Sequence, residues 1–269
     1  MEDLPLGKTT AVPSSYAPGV LRGVARARAR SLAGIATPLP FSGTDVWNAW
    51  ELTWLDNGGK PIVATATLRY DATSANIVES KSLKLYLNSL ASTRFGGHDE
   101  VANTISRDLS AIVEDDVTIQ IDRLPADPTP ISTLPGVLLD DQEVGDFPCT
   151  PDAAVLKTVD TDVTDEALHS HLLYSLCPVT GQPDTGSLFI RYRGRRIDRA
   201  SLLRYIVAYR THTDFHEACV EKVFVDLKDR CRCERLTVYA RYNRRGGLDI
   251  NPIRTDHETT IDNPRLWRQ

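Results

Sequence analysis

The order of predicted strands and helices repeats once along this chain, and the repeat restricts the folds that the chain can form. The predicted elements of the first half are two strands, two helices and a strand, at 47–55, 62–70, 82–90, 98–114 and 117–124. Those of the second half are a strand, two helices and a strand, at 188–193, 201–210, 214–228 and 236–242. A duplicated unit of this kind predicts an α+β fold.

Individual side chains also recur at matching places in the two halves. The matched positions are Ser82, Leu83, Tyr86, Asp108 and Leu109 in the first half and Ser201, Leu202, Tyr205, Asp226 and Leu227 in the second. The spacing within each set is nearly the same, which favours duplication of a strand-strand-helix-helix-strand unit. Chance similarity between two α+β segments is the alternative explanation.

Local signals refine the first half. Asp56-Asn57-Gly58-Gly59 separates the two strand-like runs and is a strong hairpin turn signal. The helix at 98–114 is predicted to bury one face, formed by Val101, Ile105, Leu109 and Ile112.

Composition shifts suggest the boundaries. Residues 1–40 are rich in Pro, Gly, Ser and Ala without a sustained period, so we predict an extended N-terminal arm. Residues 125–150 contain five prolines and form the predicted connection. The modules are therefore predicted to span 41–145 and 146–269.

The overall composition is that of a globular protein. The 269 residues carry a formal net charge of −5, which argues against general nucleic-acid binding. No apolar run reaches the roughly 18–20 residues of a membrane span. Glu2 and Asp3 stand where a secretory signal would begin, so we expect a cytoplasmic location and free thiols at all five cysteines.

The segment from Cys177 to Asp184 is the first candidate for chemistry. Pro178, Gly181 and Pro183 lie within it, so a helix or central strand is disfavoured and a rigid loop is predicted. The cysteine offers a nucleophile and the aspartate a proton donor. A buried structural cysteine and an ordinary turn aspartate are the alternatives.

Three further segments combine charge with turns or helix starts. Glu79-Ser80-Lys81 offers a carboxylate for ring N–H groups and two groups for a phosphate, although Ser80 or Ser82 could instead cap the helix. Phe215-His216-Glu217 joins a ring, a proton carrier and a second carboxylate, while Asp214 with Glu217 also fits a capping box. Arg244-Arg245-Gly246-Gly247 suits phosphate binding or a solvated basic turn.

These segments, in this order, resemble the NADPH-dependent 7-cyano-7-deazaguanine reductases, the nitrile reductases of the queuosine pathway, in their long two-module form. The resemblance extends from about residue 40 to the end and rests on the blocks 79–86, 177–184, 215–217 and 244–252. It implies tandem tunnelling-fold (T-fold) modules, each an antiparallel sheet with two helices on one face. It also implies a homo-oligomer, with a dimer expected, and no direct nucleic-acid or membrane partner.

The resemblance further implies a role for each residue. Cys177 would add to the nitrile carbon of 7-cyano-7-deazaguanine and form a covalent thioimide, with Asp184 as the acid. Asp184 and His216 would supply protons as two NADPH reduce the adduct to 7-aminomethyl-7-deazaguanine. The implied substrate-binding residues are Val78, Glu79, Ser80, Phe215, His216 and Glu217. The implied NADPH-binding residues are Ser80, Lys81, Arg245 and Gly246.

Two other functions remain possible from the residues. A zinc hydrolase of the same broad fold would need ligands such as His216, Cys219, Cys231 and Cys233, but these lack a CxxC pair and Cys231-Arg-Cys233 is too close for an ordinary structural site. We therefore expect no metal. A non-catalytic purine-binding module would be expected to lose Cys177 or Asp184, and both are present. No GxGxxG follows a strand, so a Rossmann-type cofactor site is not expected.

Overall fold

The strands and helices form two compact units, and each unit is built from three separate stretches of the chain. The computed structural model describes residues 12–124, 130–146, 148–159, 163–260 and 262–269. Within these, the first unit comprises the described parts of Met1–Arg28, Asp45–Pro130 and Arg244–Ile250. The second comprises the described parts of Ala29–Thr44, Ile131–Asn243 and Asn251–Gln269. The protein is thus a mixed α+β molecule, as the sequence predicts.

The elements in chain order are as follows. The first eight are β1 (Gly23–Ala25), α1 (Arg26–Leu32), β2 (Ser42–Leu55), β3 (Pro61–Asp71), β4 (Asn76–Val78), α2 (Ser80–Ser89), α3 (His98–Val113) and β5 (Thr118–Arg123). The next seven are β6 (Val137–Leu138), β7 (Thr164–Leu176), β8 (Pro183–Gly194), α4 (Arg199–Val207), α5 (His216–Cys231), β9 (Arg235–Tyr242) and β10 (Leu248–Thr255). Short 3-10 turns occur at Pro18–Val20, Ala153–Val155 and Ala208–Thr211.

The sheet of the first unit has the strand order β5-β3-β2. The predicted turn joins β2 to β3, where Asp56 N–H donates to the Lys60 carbonyl at 2.9 Å. Helix α3 packs into the core through Val101, Ile105, Leu109 and Val113. The predicted Ile112 is partly buried and packs against the same core, and Val113, which was not predicted, is fully buried beside it.

The second unit has the strand order β10-β9-β8-β7-β6. Three of these strands, the two-residue β6 and the longer β7 and β10, are not predicted from the sequence. The pairing of β7 with β8 shifts in register between Ser170 and Leu173, which breaks the alternation that reveals a half-buried strand. All eight residues of β10 are buried and include polar side chains and Pro252, so β10 also lacks that alternation.

The aligned positions of the two halves make the same local hydrogen bonds. Tyr86 Oη donates to Asp108 at 2.7 Å, and Tyr205 Oη donates to Asp226 at 2.6 Å. The helices that carry these aspartates, α3 and α5, each have 16 residues and each end in a left-handed residue. The sequence alignment of the halves is therefore matched by side-chain hydrogen bonds within each unit.

Regular structure begins within the range predicted as an extended arm. β1 pairs antiparallel with β4, so residues 23–25 extend a small sheet of the first unit. Arg26 is buried and donates to Asp45 at 2.5 Å and to Ser74 Oγ at 3.0 Å. A buried guanidinium with these acceptors fixes the start of α1.

A buried charge cluster organises the second unit. Glu221 on α5 accepts from Arg30 at 2.7 Å and 2.9 Å, and from Arg254 Nη2 at 2.9 Å. Both guanidinium groups also lie over the ring of Phe41, at 5.8 Å and 5.6 Å from its centroid. The cluster therefore joins the 29–44 segment, β10 and α5 through charge-assisted hydrogen bonds and cation–π contacts.

Among the helices in the described residues, none combines the length and the apolar character that crossing a bilayer requires.

Replacing the central carboxylate should destabilise the protein strongly. Glu221→Gln keeps the shape but removes the negative charge that faces the buried Arg254 and the partly buried Arg30, so we expect a loss of about 3–5 kcal/mol. Denaturant unfolding followed by circular dichroism measures it. Glu234→Gln is the control, because the Arg193–Glu234 pair is about half exposed and is expected to contribute about 1 kcal/mol or less. Equal effects of the two substitutions would contradict the assigned role of Glu221.

Candidate active site

Cys177 opens the loop that joins β7 to β8. Its N–H donates to the Gln182 carbonyl at 2.9 Å, and its carbonyl accepts from Gly181 N–H at 3.0 Å. Gly181 has φ +65°, a conformation that glycine adopts without steric cost. Cys177 therefore lies in a tight hairpin loop, as the prolines and the glycine predict. Its side chain is buried.

Backbone hydrogen bonds place the start of α5 beside this loop. Leu176 N–H donates to the His212 carbonyl at 2.8 Å, and Asp214 N–H donates to the Leu176 carbonyl at 3.2 Å. Helix α5 then begins at His216. Cys177 therefore directly follows a strand end that is hydrogen-bonded to the segment before α5. At the N-terminus of α5 the positive end of the helix dipole favours anions.

Asp184 lies within β8 and not at the end of the loop. It is opposite Ser175 of β7 and only 7% exposed. Its Oδ1 is 3.7 Å from His216 Nε2, and the His216 ring contacts the Tyr242 ring edge-on with centroids 4.1 Å apart. The structure thus brings together the two predicted proton donors, Asp184 and His216, against an aromatic wall.

The capping box predicted from Asp214 and Glu217 does not form. The N-cap of α5 is Phe215, whose side chain makes no cap hydrogen bond, and Asp214 Oδ1 accepts from Phe215 N–H at 2.8 Å. That interpretation of the two carboxylates is therefore wrong. Glu217 is instead buried in the first turn of the helix, next in sequence to His216.

Buried titratable groups near the start of α5 favour their neutral forms. Burial raises the pKa of Asp214, and burial together with the Lys222 cation lowers the pKa of His212. Burial, with Asp214 as a second cause, raises the pKa of Cys219 far above that of an ordinary thiol. Cys219 therefore favours the protonated thiol in this region.

The predicted substrate carboxylate of the first unit, Glu79, is fully buried at the start of α2. Its two carboxylate oxygens accept from Lys81 N–H at 2.8 Å and from Ser82 N–H at 2.7 Å. Glu79 is the N-cap, so the alternative that Ser80 or Ser82 caps this helix is wrong. Val78 ends β4 immediately before it, and Ser80 is the first residue of α2.

A cavity of about 410 Å³ in the first unit contains two of the predicted cofactor residues, Lys81 and Gly246. Arg245 belongs to the same turn, where its N–H donates to the Leu248 carbonyl at 2.9 Å. Gly246 and Gly247 have φ of +63° and +77°. The turn therefore brings bare backbone to the cavity wall, as phosphate binding requires.

Lys84 also lines this cavity and was not among the predicted site residues. A Cβ placed on Gly246 would lie 3.0 Å from Lys84 Cε, so the lysine stem crosses the glycine closely. The three-residue spacing from Lys81 to Lys84 was a usable signal, because such residues share one helix face. Tyr242, at the end of β9, carried no comparable signal in the sequence.

The predicted site residues are distributed over both units. Val78, Glu79, Ser80, Lys81, Arg245 and Gly246 lie in the first unit. Cys177, Asp184, Phe215, His216 and Glu217 lie in the second unit.

Within the part of the chain that the structure describes, no three His, Cys, Asp or Glu side chains group closely enough to hold a metal ion. Burial raises the pKa of the Cys231 thiol to about 11 and that of Cys233 to about 12. Both thiols therefore favour their protonated forms at neutral pH.

Known proteins with similar sequences cover almost the whole chain. Residues 12–121 match a family described as nitrile reductase, 7-cyano-7-deazaguanine-reductase N-term, and residues 183–260 match a family described as QueF-like protein. The NADPH-dependent 7-cyano-7-deazaguanine reductase of Dechloromonas aromatica is 49% identical over 98% of this chain and 95% of its own. The chain belongs to the 7-cyano-7-deazaguanine reductase family. The predicted family and its oxidoreductase class are confirmed.

Other members of the reductase family agree. Proteins of the same name from Desulfotalea psychrophila and Burkholderia multivorans are each 48% identical, over 99% and 100% of this chain and 97% and 99% of their own. Their names state NADPH dependence, which confirms the predicted cofactor at the level of the family. The solved apo archaeosine synthase QueF-Like aligns with 38% of this chain and all of its own, at 12% identity and a TM-score of 0.32, too low to support a fold assignment.

The thiols of this reductase family member should differ sharply in reactivity. Cys149 is exposed, whereas Cys231 and Cys233 are buried with raised pKa values. At pH 8 a thiol of pKa 11 is only about 0.1% thiolate, so iodoacetamide should modify Cys149 first and leave Cys219, Cys231 and Cys233 intact. Peptide mass mapping of the native protein measures this. Modification of Cys231 as fast as Cys149 would contradict the raised pKa of the Cys231 thiol.

Proposed function

We propose that this protein reduces the nitrile of 7-cyano-7-deazaguanine to the 7-aminomethyl group with two NADPH, through a Cys177 thioimide, in queuosine biosynthesis. The observation that carries the proposal is the 3.7 Å distance between His216 Nε2 and Asp184 Oδ1. Asp184 lies on β8, which the Cys177 loop enters, and His216 begins α5, whose preceding segment is hydrogen-bonded to the residue before Cys177. A nucleophile and two proton donors in one unit suit a covalent reduction that consumes protons.

The first step needs a nucleophile and an acid. The Cys177 sulfur reacts as the thiolate, its proton already lost, and forms a bond to the nitrile carbon while one π bond of the nitrile becomes a lone pair on nitrogen. Asp184 supplies the proton to that nitrogen, because a buried carboxylic acid can donate without competition from bulk water. The tight hairpin loop holds the sulfur in place, so little conformational freedom is lost when the bond forms.

The later steps need the thiol to leave and further protons. NADPH supplies hydride twice when bound. Cys177 departs as its bond to carbon breaks, which leaves an imine that is then reduced to the amine. His216 contacts Asp184 and can pass a proton to it, so the pair can deliver protons at each stage.

The two buried carboxylates suit recognition of the deazaguanine ring. Glu79 and Glu217 would accept hydrogen bonds from ring N–H groups, with Phe215 stacked on the ring and Val78 and Ser80 at the pocket wall. Glu79 already accepts two backbone N–H groups, yet a carboxylate has about four acceptor sites. A ring without matching donors would leave buried acceptors unpaired and would be rejected.

The lining of the first-unit cavity supports binding of an anionic part of the cofactor. Lys81 and Lys84 supply two cations beside the single carboxylate of Glu51, and the Gly246-Gly247 turn presents backbone without side chains. Ser80, Lys81, Arg245 and Gly246 would bind the cofactor there. We also propose that the chain is two T-fold modules, at 41–145 and 146–269, and works as a homodimer.

Removal of the nucleophile should abolish the reaction. Cys177→Ala is expected to give no turnover and no covalent adduct. The wild-type protein, incubated with 7-cyano-7-deazaguanine without NADPH, should gain the mass of one substrate molecule. Intact mass spectrometry and loss of NADPH absorbance measure the two effects. Cys149→Ala is the matched control and should behave as wild type. An adduct on the Cys177→Ala protein would exclude this mechanism, and a wild-type protein without turnover would indicate a non-catalytic binding module.

Neutralising the acid should separate binding from rate. Asp184→Asn is expected to keep substrate affinity within a few-fold while kcat falls by about 10²–10⁴, the usual contribution of a positioned acid. Titration calorimetry and steady-state rates measure the two quantities. Asp165→Asn, which changes a half-exposed aspartate on β7, should leave both unchanged. Near-normal kcat in Asp184→Asn would remove Asp184 from the mechanism.

A further inference from the structure

Arg244 stands at the start of the glycine-containing turn and is exposed, yet its position is defined by a ring. Its guanidinium carbon lies 5.3 Å from the centroid of the Trp50 ring on β2. Stacking on the indole uses the flat face of the guanidinium and leaves its N–H edge for an acceptor. An exposed arginine so oriented suits an anion that can accept two parallel hydrogen bonds, such as a phosphate.

The ring under Arg244 is itself fixed by a buried carboxylate. Trp50 Nε1 donates to Asp249 Oδ2 at 2.5 Å, and Asn48 Nδ2 donates to Asp249 Oδ1 at 2.7 Å. Asp249 is 1% exposed. Burial of a carboxylate costs several kcal/mol unless its partners are well placed, and an apolar residue would pack there at lower cost. The carboxylate is therefore better explained by the orientation that it imposes on the indole.

The same tryptophan also holds the turn through its backbone. Trp50 N–H donates to the Gly247 carbonyl at 2.9 Å, next to Gly246 at the cavity wall. The turn that carries Arg244 is thus attached to β2 by a backbone hydrogen bond and by a cation–π contact from one residue. Lys81 and Lys84 line the cavity beside this turn. The cationic groups converge on one region of the first unit.

We infer that Arg244 is a further cofactor-binding residue that binds a phosphate of NADPH, and that Trp50 and Asp249 are positioning residues for it. The inference rests on the proposed function. The phosphate could be the 2′-phosphate or the bridging pyrophosphate, which share the same chemistry. In either case the Arg244 edge donates hydrogen bonds to phosphate oxygens while the indole prevents the side chain from swinging into solvent.

Binding of NADPH and NADH to the full-length protein, measured by calorimetry without the nitrile, tests the role of Arg244. Arg244→Ala should weaken NADPH binding about 10- to 100-fold, the range for a hydrogen-bonded charged contact. An equal loss for NADH indicates the pyrophosphate, and a loss for NADPH alone indicates the 2′-phosphate. Arg94→Ala, an exposed arginine elsewhere in the first unit, should change neither. Unchanged NADPH affinity in Arg244→Ala overturns the inference.

A double-mutant cycle tests the positioning residues. Trp50→Leu should weaken NADPH binding in the wild-type background but add almost nothing in the Arg244→Ala background, and Trp50→Phe should restore part of the loss. Asp249→Asn should behave as Trp50→Leu does. Additive losses would show that Trp50 acts without Arg244 and would overturn its positioning role. The proposed function is judged separately, by wild-type turnover of the nitrile, so a binding result and a catalytic result can fail independently.

Discussion

The buried carboxylate of Glu221 is the contact on which the second unit most depends. It lies one helical turn beyond Glu217 on α5 and is held by Arg30 and Arg254. Two cations and one anion are costly to bring together in a largely buried cluster. They stabilise the fold only when every partner is in place. The orientation of α5, and with it the direction of His216 and Glu217, is thereby tied to the 29–44 segment and to β10.

Sequence patterns predicted the family and candidate residues for its chemistry, but only part of the architecture. Cys177, Asp184 and His216 were selected as candidates because each belongs to a short run with a turn or a helix start. β7 and β10 were not found, because a register shift in one and complete burial of the other remove the alternation on which strand prediction relies. The Arg244–Trp50–Asp249 group joins residues almost 200 positions apart in sequence, which no local pattern reveals.

The structural alternatives that the sequence offered for the two helix starts both named the wrong cap. In α2 the carboxylate of Glu79 caps the helix and not a serine, and in α5 the N-cap is Phe215. Cap identity depends on which side chain can turn back to the first N–H groups, and this is set by the strand or segment that enters the helix. The sequence showed that polar side chains able to cap a helix occur at both helix starts. Which of them accepts the first N–H groups is seen only in the structure.

Comparison of Glu79 with the equivalent residue of the second unit distinguishes its structural role as a helix cap from its proposed role in ligand binding. Asp198 occupies the same place before α4 and caps Ser201 N–H at 2.8 Å, while Ser201 Oγ returns a bond to its carbonyl. Ser82 Oγ donates to the Glu79 carbonyl in the same way. Capping thus explains an acidic residue at both positions without any ligand. What distinguishes Glu79 is the chain that follows, since α2 continues with Ser80, Lys81 and Lys84 and α4 with Arg199, Ala200 and Leu203. The lysines, and not the carboxylate alone, therefore support the proposal that the first unit receives an anion.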